Sequence, residues 1–255
     1  MSSNPPDETD IAPSSRVTSD TRDLDALSRP HKRGCLPDLP TVICYLKADL
    51  YRYHGDGRLK FWRHFLFTPG YKYTVWMRLA GWASNSKLTL FTFGWFLKWM
   101  LMRCRYKYGI AIPEYTEIGP GLFINRFGAI YMNGDAVIGA NVNIAQMTLI
   151  GQANRGKRAG SPTVGDRVYV GVGTCIVGRI TVGNGVVVGV NSVVSRDIPE
   201  DAVVAGTPAE ILSMQGSTGY INRMVPDAMI RTCYQLRDRG RGTGHRSASS
   251  DMSGE

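Results

Sequence analysis

The chain has 255 residues and a formal net charge of +9 at pH 7, with a pI of about 9.4. This length is enough for one large domain or two small ones. The excess of Lys and Arg favours anionic partners such as nucleic acid, a membrane surface or a phosphorylated small molecule. The five cysteines are widely spaced and include no CxxC pair, which argues against a disulfide framework and a zinc site and favours a reducing, cytoplasmic location.

Residues 1–40 are rich in Ser, Pro, Asp and Arg and contain few large apolar side chains. Such a segment cannot bury enough apolar surface to offset the entropy lost on ordering. It also lacks the basic start and apolar run that a secretory signal needs. We therefore predict a disordered tail on a protein that remains inside the cell.

Residues 41–110 form an aromatic, basic segment. Pro69-Gly70 and the polar Ser84-Asn85-Ser86 cluster are predicted to divide it into about three helices. Its aromatic positions indicate either packing between helices or on a partner chain, or a peripheral membrane face. The residues concerned are Trp62, Phe65, Trp76, Leu79 and Trp95.

The membrane alternative depends on the apolar run from Leu88 to Met102 and on the cations that follow it, Arg103, Arg105 and Lys107. These cations could meet anionic lipid at the inner face of a membrane. The run has 15 residues and contains Lys98, whereas a spanning helix needs about 20 apolar residues. We therefore do not predict a transmembrane helix.

From Ala111 to Leu212 a branched apolar residue returns at every sixth position. A helix would repeat at three and four and a strand at two, so the repeat unit must be one side of a larger coil. We predict a mainly β fold, a parallel β-helix of about four or five three-sided coils, in which glycines after the lead residues give turns freedom in φ. The lead residues are Ile138, Ile144, Ile150, Val164, Val170, Ile176, Val182, Val188 and Val194.

The six-residue repeat is interrupted twice, and interruptions of a regular coil are where functional segments project. Between Ile150 and Val164 the spacing is 14, which leaves an eight-residue insertion; the other break is INRFGAIY, residues 124–131. After the repeats, residues 213–255 are predicted to be an extension and a second disordered tail. Its Gly/Arg composition lacks the interleaved aromatics typical of nucleic-acid binding, so no nucleic-acid partner is expected.

The repeats, of the form [LIV]-G-x-x-[STV]-x, resemble those of the hexapeptide acyltransferases. The stretch from IGPGLFINRFGAIYMNGDAVIGANVNI to VVAGTPAEIL is similar to the serine O-acetyltransferase group over residues 111–212. The preceding DLYRY, FTPGYKYTVWMRL and YKYGIAIP resemble the related enzymes found with surface polysaccharide genes. The resemblance implies a left-handed β-helix, a homotrimer with sites between subunits, and acetyl-CoA as co-substrate.

The resemblance also implies where acetyl-CoA binds. The insertion should close over donor and acceptor, and its cations suit the phosphates of coenzyme A. Backbone groups at three further positions would line the groove for the pantetheine arm. Two of these positions carry valine, which narrows the groove. The remaining contacts would lie near the far end of the groove. The loop cations are Arg155, Lys157 and Arg158; the groove positions are Gly151, Val172 and Val190; the far contacts are Arg196, Thr207 and Pro208.

The residues matched to the family's acceptor site differ from the family pattern. Arg126 stands where the family has its general-base histidine, and Asn125 where serine acetyltransferases have an acceptor-binding aspartate. An arginine stays protonated, so it can stabilise an oxyanion but cannot remove a proton at pH 7. Ala111 replaces the carboxylate that orients the histidine, and Gly160-Ser161 replace an Arg-His pair.

Histidines are absent between residues 65 and 244, which excludes a metal-dependent hydratase on the same coil and predicts no metal site. His64 is the alternative base, although a histidine among aromatics is more often packed, and Asp135 is interpreted as a turn residue. The sequence thus predicts an O-acetyltransferase acting on a hydroxyl of a sugar or serine-like acceptor. The alternative is a non-catalytic trimeric scaffold that binds coenzyme A or a glycan.

Overall fold

The computed structural model describes residues 34–55, 61–85 and 93–250, with side chains as far as Arg241. Most of the expected N-terminal tail, residues 1–33, and residues 86–92 of the aromatic segment lie outside the described residues. The chain forms a group of helices that packs on a β-helix, followed by a last helix. The five described helices are α1 Leu39–His54, α2 Phe61–Phe67, α3 Pro69–Ala83, α4 Trp95–Tyr108 and α5 Asp227–Ser250.

Four helices, rather than the predicted three, occupy the described part of residues 39–108. Asp38 begins α1, because its carboxylate accepts a hydrogen bond from the Thr41 amide at 2.8 Å and so satisfies an unpaired N–H of the first turn. Pro69 separates α2 from α3 and begins α3, where a missing N–H costs no hydrogen bond. None of the described helices combines the length and hydropathy that crossing a bilayer would need.

Within the described ranges, fifteen short strands form three sheets. Sheet 1 has the order β1-β4-β7-β10-β13, sheet 2 the order β11-β8-β5-β2, and sheet 3 the order β15-β14-β12-β9-β6-β3. All pairs are parallel except β14 with β15. The strands are β1 Ile110–Ala111, β2 Glu117–Ile118, β3 Phe123–Ile124, β4 Ile130–Met132, β5 Val137–Ile138, β6 Asn143–Ile144, β7 Leu149–Gly151, β8 Thr163–Val164, β9 Tyr169–Val170, β10 Cys175–Val177, β11 Thr181–Val182, β12 Val187–Val188, β13 Val193–Val194, β14 Val203–Gly206 and β15 Ala209–Ser213.

The sheets are the three sides of a left-handed parallel β-helix, which confirms the fold predicted from the repeats. In the regular coils, paired residues are 18 positions apart, as for Thr163 with Thr181 and Cys175 with Val193. Three sides of six residues therefore complete one coil. The nine predicted lead residues are all 0–2% exposed and form the interior column, so burial of one apolar residue per side is the cause of the six-residue repeat.

We predicted that the glycines after the lead residues supply the freedom in φ that turns need, and this reason was wrong. Gly165 and its equivalents do not have positive φ values. A Cβ on Gly165 would lie 2.6 Å from the Asn184 Oδ1 and 3.0 Å from the Gly183 carbonyl carbon, so glycine is needed for the close approach of successive coils. Positive φ occurs two residues later instead, at Asn141 (58°) and Arg167 (55°).

A buried ion pair attaches the helices to the first coil. Asp49 of α1 and Arg78 of α3 are 3.1 Å apart. The Asp49 carboxylate accepts the Gly121 and Leu122 amides at 2.8 Å, and Arg78 donates to the Ile118 and Gly119 carbonyl oxygens at 2.7 Å. The hydrogen bonds that the pair makes beyond itself therefore all reach residues 118–122, in the coil that precedes Asn125 and Arg126.

The C-terminal residues differ from the expected disordered tail. α5 continues through the Gly/Arg stretch to Ser250. It packs on the start of α1, since a Cβ on Gly240 would lie 2.6 Å from both Asp38 and Pro37, and Arg237 lies 3.7 Å from Glu117. Tertiary contact therefore outweighs the low helix propensity of its glycines.

The cysteine spacing also argued against disulfides, and this prediction was wrong. Cys44 of α1 and Cys233 of α5 form a disulfide, although 189 residues separate them in sequence. Of the cysteines outside this disulfide, Cys35 and Cys104 are buried and Cys175 is partly exposed. Pairing over such a distance depends on the packing of α5 against α1, which spacing along the chain does not indicate.

Candidate active site

One corner of the β-helix collects most of the predicted acceptor and groove positions. Each coil turns from sheet 3 to sheet 1 through a short segment, and these segments stack one above another because the strands on either side are paired. We name this column the 3–1 corner; it consists of residues 125–129, 145–148, 171–174 and 189–192, together with the β14–β15 turn at residues 207–208, which lies at its end because Thr207 donates to the Asn191 carbonyl at 3.3 Å. It contains Asn125, Arg126, Val172, Val190, Thr207 and Pro208.

The first break places Arg126 at the edge of this corner. Strand pairs across the break are 20 residues apart, as for Glu117 with Val137, so the segment adds two residues to the coil. Asn125, Arg126 and Phe127 are all exposed. The Asn125 amide donates to the Ile144 carbonyl at 3.0 Å, which fixes the backbone and leaves the Asn125 and Arg126 side chains directed away from the core.

Exposed apolar side chains lie on the segments next to Arg126. Phe127, Tyr131 and Met147 are each at least half exposed, and the Phe127 ring lies 5.7 Å from the ring of Tyr108 at the end of α4. A guanidinium among exposed apolar groups can hold an oxygen-rich or anionic group while the rings cover its apolar parts.

α1 supports the strand that leads to Arg126. The Tyr53 hydroxyl bonds to both the amide and the carbonyl of Ile124 at 3.1 Å. Arg52 donates to the Gly121 carbonyl at 3.2 Å and to the side chains of Asn141 and Asn143, and burial lowers its pKa to about 10. Through these hydrogen bonds, α1 fixes the backbone just before the break and the facing residues of the next coil.

The other two candidates for proton transfer lie outside the 3–1 corner. His64 packs against Tyr53, with 5.8 Å between ring centroids, and its Nδ1 lies 3.0 Å from the Thr68 hydroxyl. The Asp135 amide donates to Asn133 Oδ1 at 2.8 Å, so Asp135 belongs to a turn, as interpreted from the sequence. Within the described residues, no three His, Cys, Asp or Glu side chains are placed to hold a metal ion.

The opposite edge of sheet 1 carries the cations. We name it the 1–2 corner; the segments of it that carry the cations are residues 151–162, 177–180 and 195–198. Strand pairs across the insertion are 26 residues apart, which accounts for the eight added residues. The insertion closes through an antiparallel bridge between Ala153 and Gly160, and its cations Arg155, Lys157 and Arg158 are exposed.

The insertion is attached to the coils beside it. Arg158 Nη1 donates to the Ser195 carbonyl at 2.8 Å, next to the exposed Arg196. The Arg179 amide donates to the Arg158 carbonyl at 2.9 Å. Arg179 is a further exposed cation of this corner that the sequence analysis missed; its position three residues after the lead residue Ile176 could have indicated it.

Gln146 was also missed. It lies on the 3–1 corner, and its side-chain oxygen is buried without a hydrogen-bond partner within the described structure. An unpaired buried acceptor is costly, and an amide or hydroxyl donor of a ligand would satisfy it. Its place in the regular repeat, between Ala145 and Met147, gave no signal of this.

Sheet 1 separates the two corners, so one chain alone does not bring the predicted site residues together. Strands of two or three residues put the edges of sheet 1 roughly 7–10 Å apart. Its outward-facing row is apolar and in register along the coils, and Tyr131 and Leu149 in it are exposed. The row consists of Ala111, Tyr131, Leu149, Cys175 and Val193.

Curated relatives resemble the chain over the region that contains both corners. The serine acetyltransferase of Synechococcus elongatus is 29% identical over 175 residues, covering 67% of this chain and 69% of that protein. The mitochondrial serine acetyltransferase 3 of Arabidopsis thaliana is 40% identical over 187 residues, covering 70% of this chain and 45% of that protein. The chain thus spans less than half the length of the Arabidopsis relative. No protein-family model matches the chain.

Solved structures share the architecture. The serine acetyltransferase of Brucella abortus strain S19 superposes with a TM-score of 0.59 at 25% identity, covering 69% of this chain and 71% of that chain. A serine acetyltransferase in complex with CoA superposes with a TM-score of 0.56 at 26% identity, covering 68% of this chain and 70% of that chain.

The six-residue repeats, the three-sided coil and these matches define the chain as a hexapeptide-repeat acyltransferase. Within that class it is serine acetyltransferase-like, as the resemblance of residues 111–212 implied.

Proposed function

We propose that the protein is an acetyl-CoA-dependent O-acetyltransferase that acts on a hydroxyl of a sugar. The observation that carries the proposal is the placement of the family-matched residues on the two edges of one sheet. Asn125, Arg126, Val172 and Val190 lie on the 3–1 corner, and the basic insertion lies on the 1–2 corner. Serine acetyltransferase relatives, including one solved with CoA, support the reaction class.

The residues present fit the chemistry of coenzyme A. Its phosphates would meet the 1–2 corner, where five exposed cations lie on neighbouring segments, namely Arg155, Lys157, Arg158, Arg179 and Arg196. The unpaired Gln146 oxygen could accept an amide N–H of the pantetheine arm. When bound, acetyl-CoA supplies the thioester carbonyl that a hydroxyl attacks.

The proposal includes a trimer with the site between subunits. A closed ring of three copies repeats one heterologous contact, in which one surface of a copy meets a different surface of the next. If the apolar row of sheet 1 forms that contact, the 3–1 corner of one copy meets the 1–2 corner of its neighbour. The separation of the two corners within one chain supports this arrangement.

The acceptor is proposed to be a sugar rather than free serine. Asn125, Ala111 and Gly160-Ser161 replace the side chains that the resemblance implies for serine recognition. Ser161 instead donates to Asn133 Oδ1 at 3.0 Å, and Gly160 pairs with Ala153. The exposed rings of Phe127 and Tyr131 beside Arg126 suit a ring-shaped acceptor that carries several hydroxyls.

Arg126 is proposed to hold the acceptor or the carbonyl oxygen and not to remove the hydroxyl proton. Its guanidinium only donates hydrogen bonds, so it can stabilise negative charge that develops on oxygen. Without a base at this position, transfer should be slow. The same residue favours the alternative function, a trimeric scaffold that binds coenzyme A or a glycan without catalysis.

Calorimetry and an acetyl-transfer assay together test the proposal. Coenzyme A should bind wild-type protein, and Arg196→Glu should weaken binding by about tenfold or more in a salt-sensitive manner. Arg231→Glu, at an exposed position of α5, is the control and should bind like wild type. Equal affinities of Arg196→Glu and wild type would remove Arg196 from the donor site.

Transfer is then assayed with a panel of sugars and with free serine. Acetylation of a sugar in preference to serine would support the proposed enzyme. Coenzyme A binding with no transfer to any acceptor would favour the scaffold, and preference for serine would contradict the assigned acceptor class.

A further inference from the structure

Helix α4 has apolar residues on two opposite faces. Leu97, Leu101 and Cys104 recur at helical spacing and are buried in the main core. On the other side, four large side chains recur at spacings of four, three and four and are exposed, with Trp95 at 64% and Tyr106 at 80%. An amphipathic helix that serves only the core would carry polar residues there. The exposed residues are Trp95, Trp99, Met102 and Tyr106.

Helix α2 extends this exposed surface. Trp62, Leu66 and Phe67 are all exposed, with Trp62 at 67%. A continuous series of ring contacts joins the two helices: Trp62 with Phe65 at 6.1 Å, Phe65 with Trp76 at 5.7 Å, Trp76 with Phe96 at 6.3 Å and Phe96 with Trp99 at 6.0 Å. We name the exposed residues of α2 and α4 together the aromatic face.

The aromatic face is bordered by cations. Arg63, Arg103 and Lys107 are exposed, and neither α2 nor α4 contains an Asp or Glu. The Arg103 guanidinium lies over the Trp99 ring at 5.2 Å, and Lys98 is paired with Glu114 at 3.2 Å. Aromatic and cationic groups are therefore interleaved on one surface.

From this composition we propose that the aromatic face docks on an anionic phospholipid bilayer. Trp and Tyr prefer the interface between headgroups and acyl chains, and each Lys or Arg near an anionic leaflet strengthens binding. A twofold contact between two copies would instead bring Arg103 and Lys107 against their own equivalents, with no carboxylate on either helix to pair with them. Anionic lipid supplies the missing negative charge.

Docking would also orient the candidate active site. α4 ends at Tyr108, whose ring contacts Phe127 beside Arg126. The face therefore lies next to the 3–1 corner and would hold that corner near the membrane surface. Docking itself does not rest on the proposed acetyl transfer, because it involves none of the residues assigned to the donor or the acceptor.

Vesicle co-sedimentation of the full chain tests the proposal. The probes are vesicles of phosphatidylcholine alone and of phosphatidylcholine with phosphatidylglycerol. Wild type should bind the anionic vesicles and lose binding at high salt. Trp95→Ser with Trp99→Ser should weaken binding by about tenfold or more, and Arg103→Gln with Lys107→Gln by about fivefold for each charge removed.

Leu212→Ser and Arg231→Gln are the matched controls, because these residues are exposed away from the aromatic face. Both should bind anionic vesicles like wild type, and circular dichroism should show the same helix content in every variant. Failure of wild type to bind anionic vesicles, or equal binding to neutral ones, would overturn the proposal. So would a change in molar mass of the tryptophan variant without lipid, since the face would then be a contact between copies.

Discussion

Arg126 occupies the position at which the resemblance implies a histidine. A missing general base typically lowers a rate by about two to four powers of ten. Arg126→His should therefore raise acetyl transfer, because an imidazole with a pKa near 6.5 can accept a proton at neutral pH. Recovery should be partial, since Ala111 provides no carboxylate to hold the imidazole. Single-turnover transfer at pH 7.5 to a sugar that both proteins bind measures the effect.

Arg126→Gln is the control for this substitution, because it removes the charge without introducing a base. It should not raise transfer. Fast transfer by wild type that Arg126→His lowers would contradict the assignment. The base would then be sought at His64, which packs on Tyr53 behind the strand that leads to Arg126.

The ion pair of Asp49 and Arg78 is the residue-scale contact that most directly joins the helices to the β-helix. Both side chains are almost fully buried, so Asp49→Asn leaves the Arg78 charge uncompensated in the interior. We expect a loss of about 3–5 kcal/mol in the free energy of unfolding, measured by urea denaturation. The matched control is Asp238→Asn, which breaks an exposed pair with Arg237 and should cost less than about 1 kcal/mol. Similar losses for the two variants would contradict the anchoring role of the buried pair.

At the scale of elements, β10 places a thiol on the outward row of sheet 1. Burial raises the pKa of the Cys175 thiol, so its thiolate fraction at pH 7.5 is below that of an ordinary cysteine. Alkylation by iodoacetamide should be slow at pH 7.5 and accelerate as the pH rises above about 9. In the single chain, mass spectrometry of the unreduced protein should locate the label at Cys175, because Cys35 and Cys104 are buried. A trimer joined through the outward row of sheet 1 would also cover Cys175 and slow its labelling further.

Cys175→Ser should abolish this labelling. Rapid labelling at a rate already constant between pH 7 and 8 would show a thiol with a lowered pKa and would contradict the expected direction. Labelling of Cys44 or Cys233 without reduction would contradict their disulfide.

The β-helix could be predicted from the sequence because one buried residue per side, such as Val164 or Val182, leaves a signal at a fixed spacing. Both interruptions were visible for the same reason. The elements outside the coil carry no such signal. α5 is helical because it packs on α1, and Cys44 meets Cys233 only through that packing. Local composition therefore indicated a disordered tail where the structure has a helix.

The candidate site was predictable only where it follows the repeat. Arg126 and Val172 could be assigned to one corner because their positions in the six-residue register are known. Gln146 and Arg179 occupy the same register without distinctive composition, and their importance depends on an unpaired oxygen and on a loop contact. Such interactions form between residues of different coils, so they leave no pattern in the sequence of a single coil.

At the scale of the whole molecule, the two corners lie apart in a single chain, so a complete site depends on how copies of the chain assemble. If three copies meet through the outward row of sheet 1, Leu149 lies in the middle of each contact. Leu149→Glu would place an unpaired charge there, at a cost of several kcal/mol per contact. Light scattering should give about 84 kDa for wild type, three times 28.1 kDa, and a single-chain mass for the variant. Because the two corners of neighbouring copies no longer meet in the Leu149→Glu variant, its binding of coenzyme A should also weaken.

Thr163→Glu, at an exposed outward position of sheet 2, is the control; it should remain trimeric and bind coenzyme A normally. A monomeric wild type, or a trimeric Leu149→Glu, would show that the corners are not joined through this sheet.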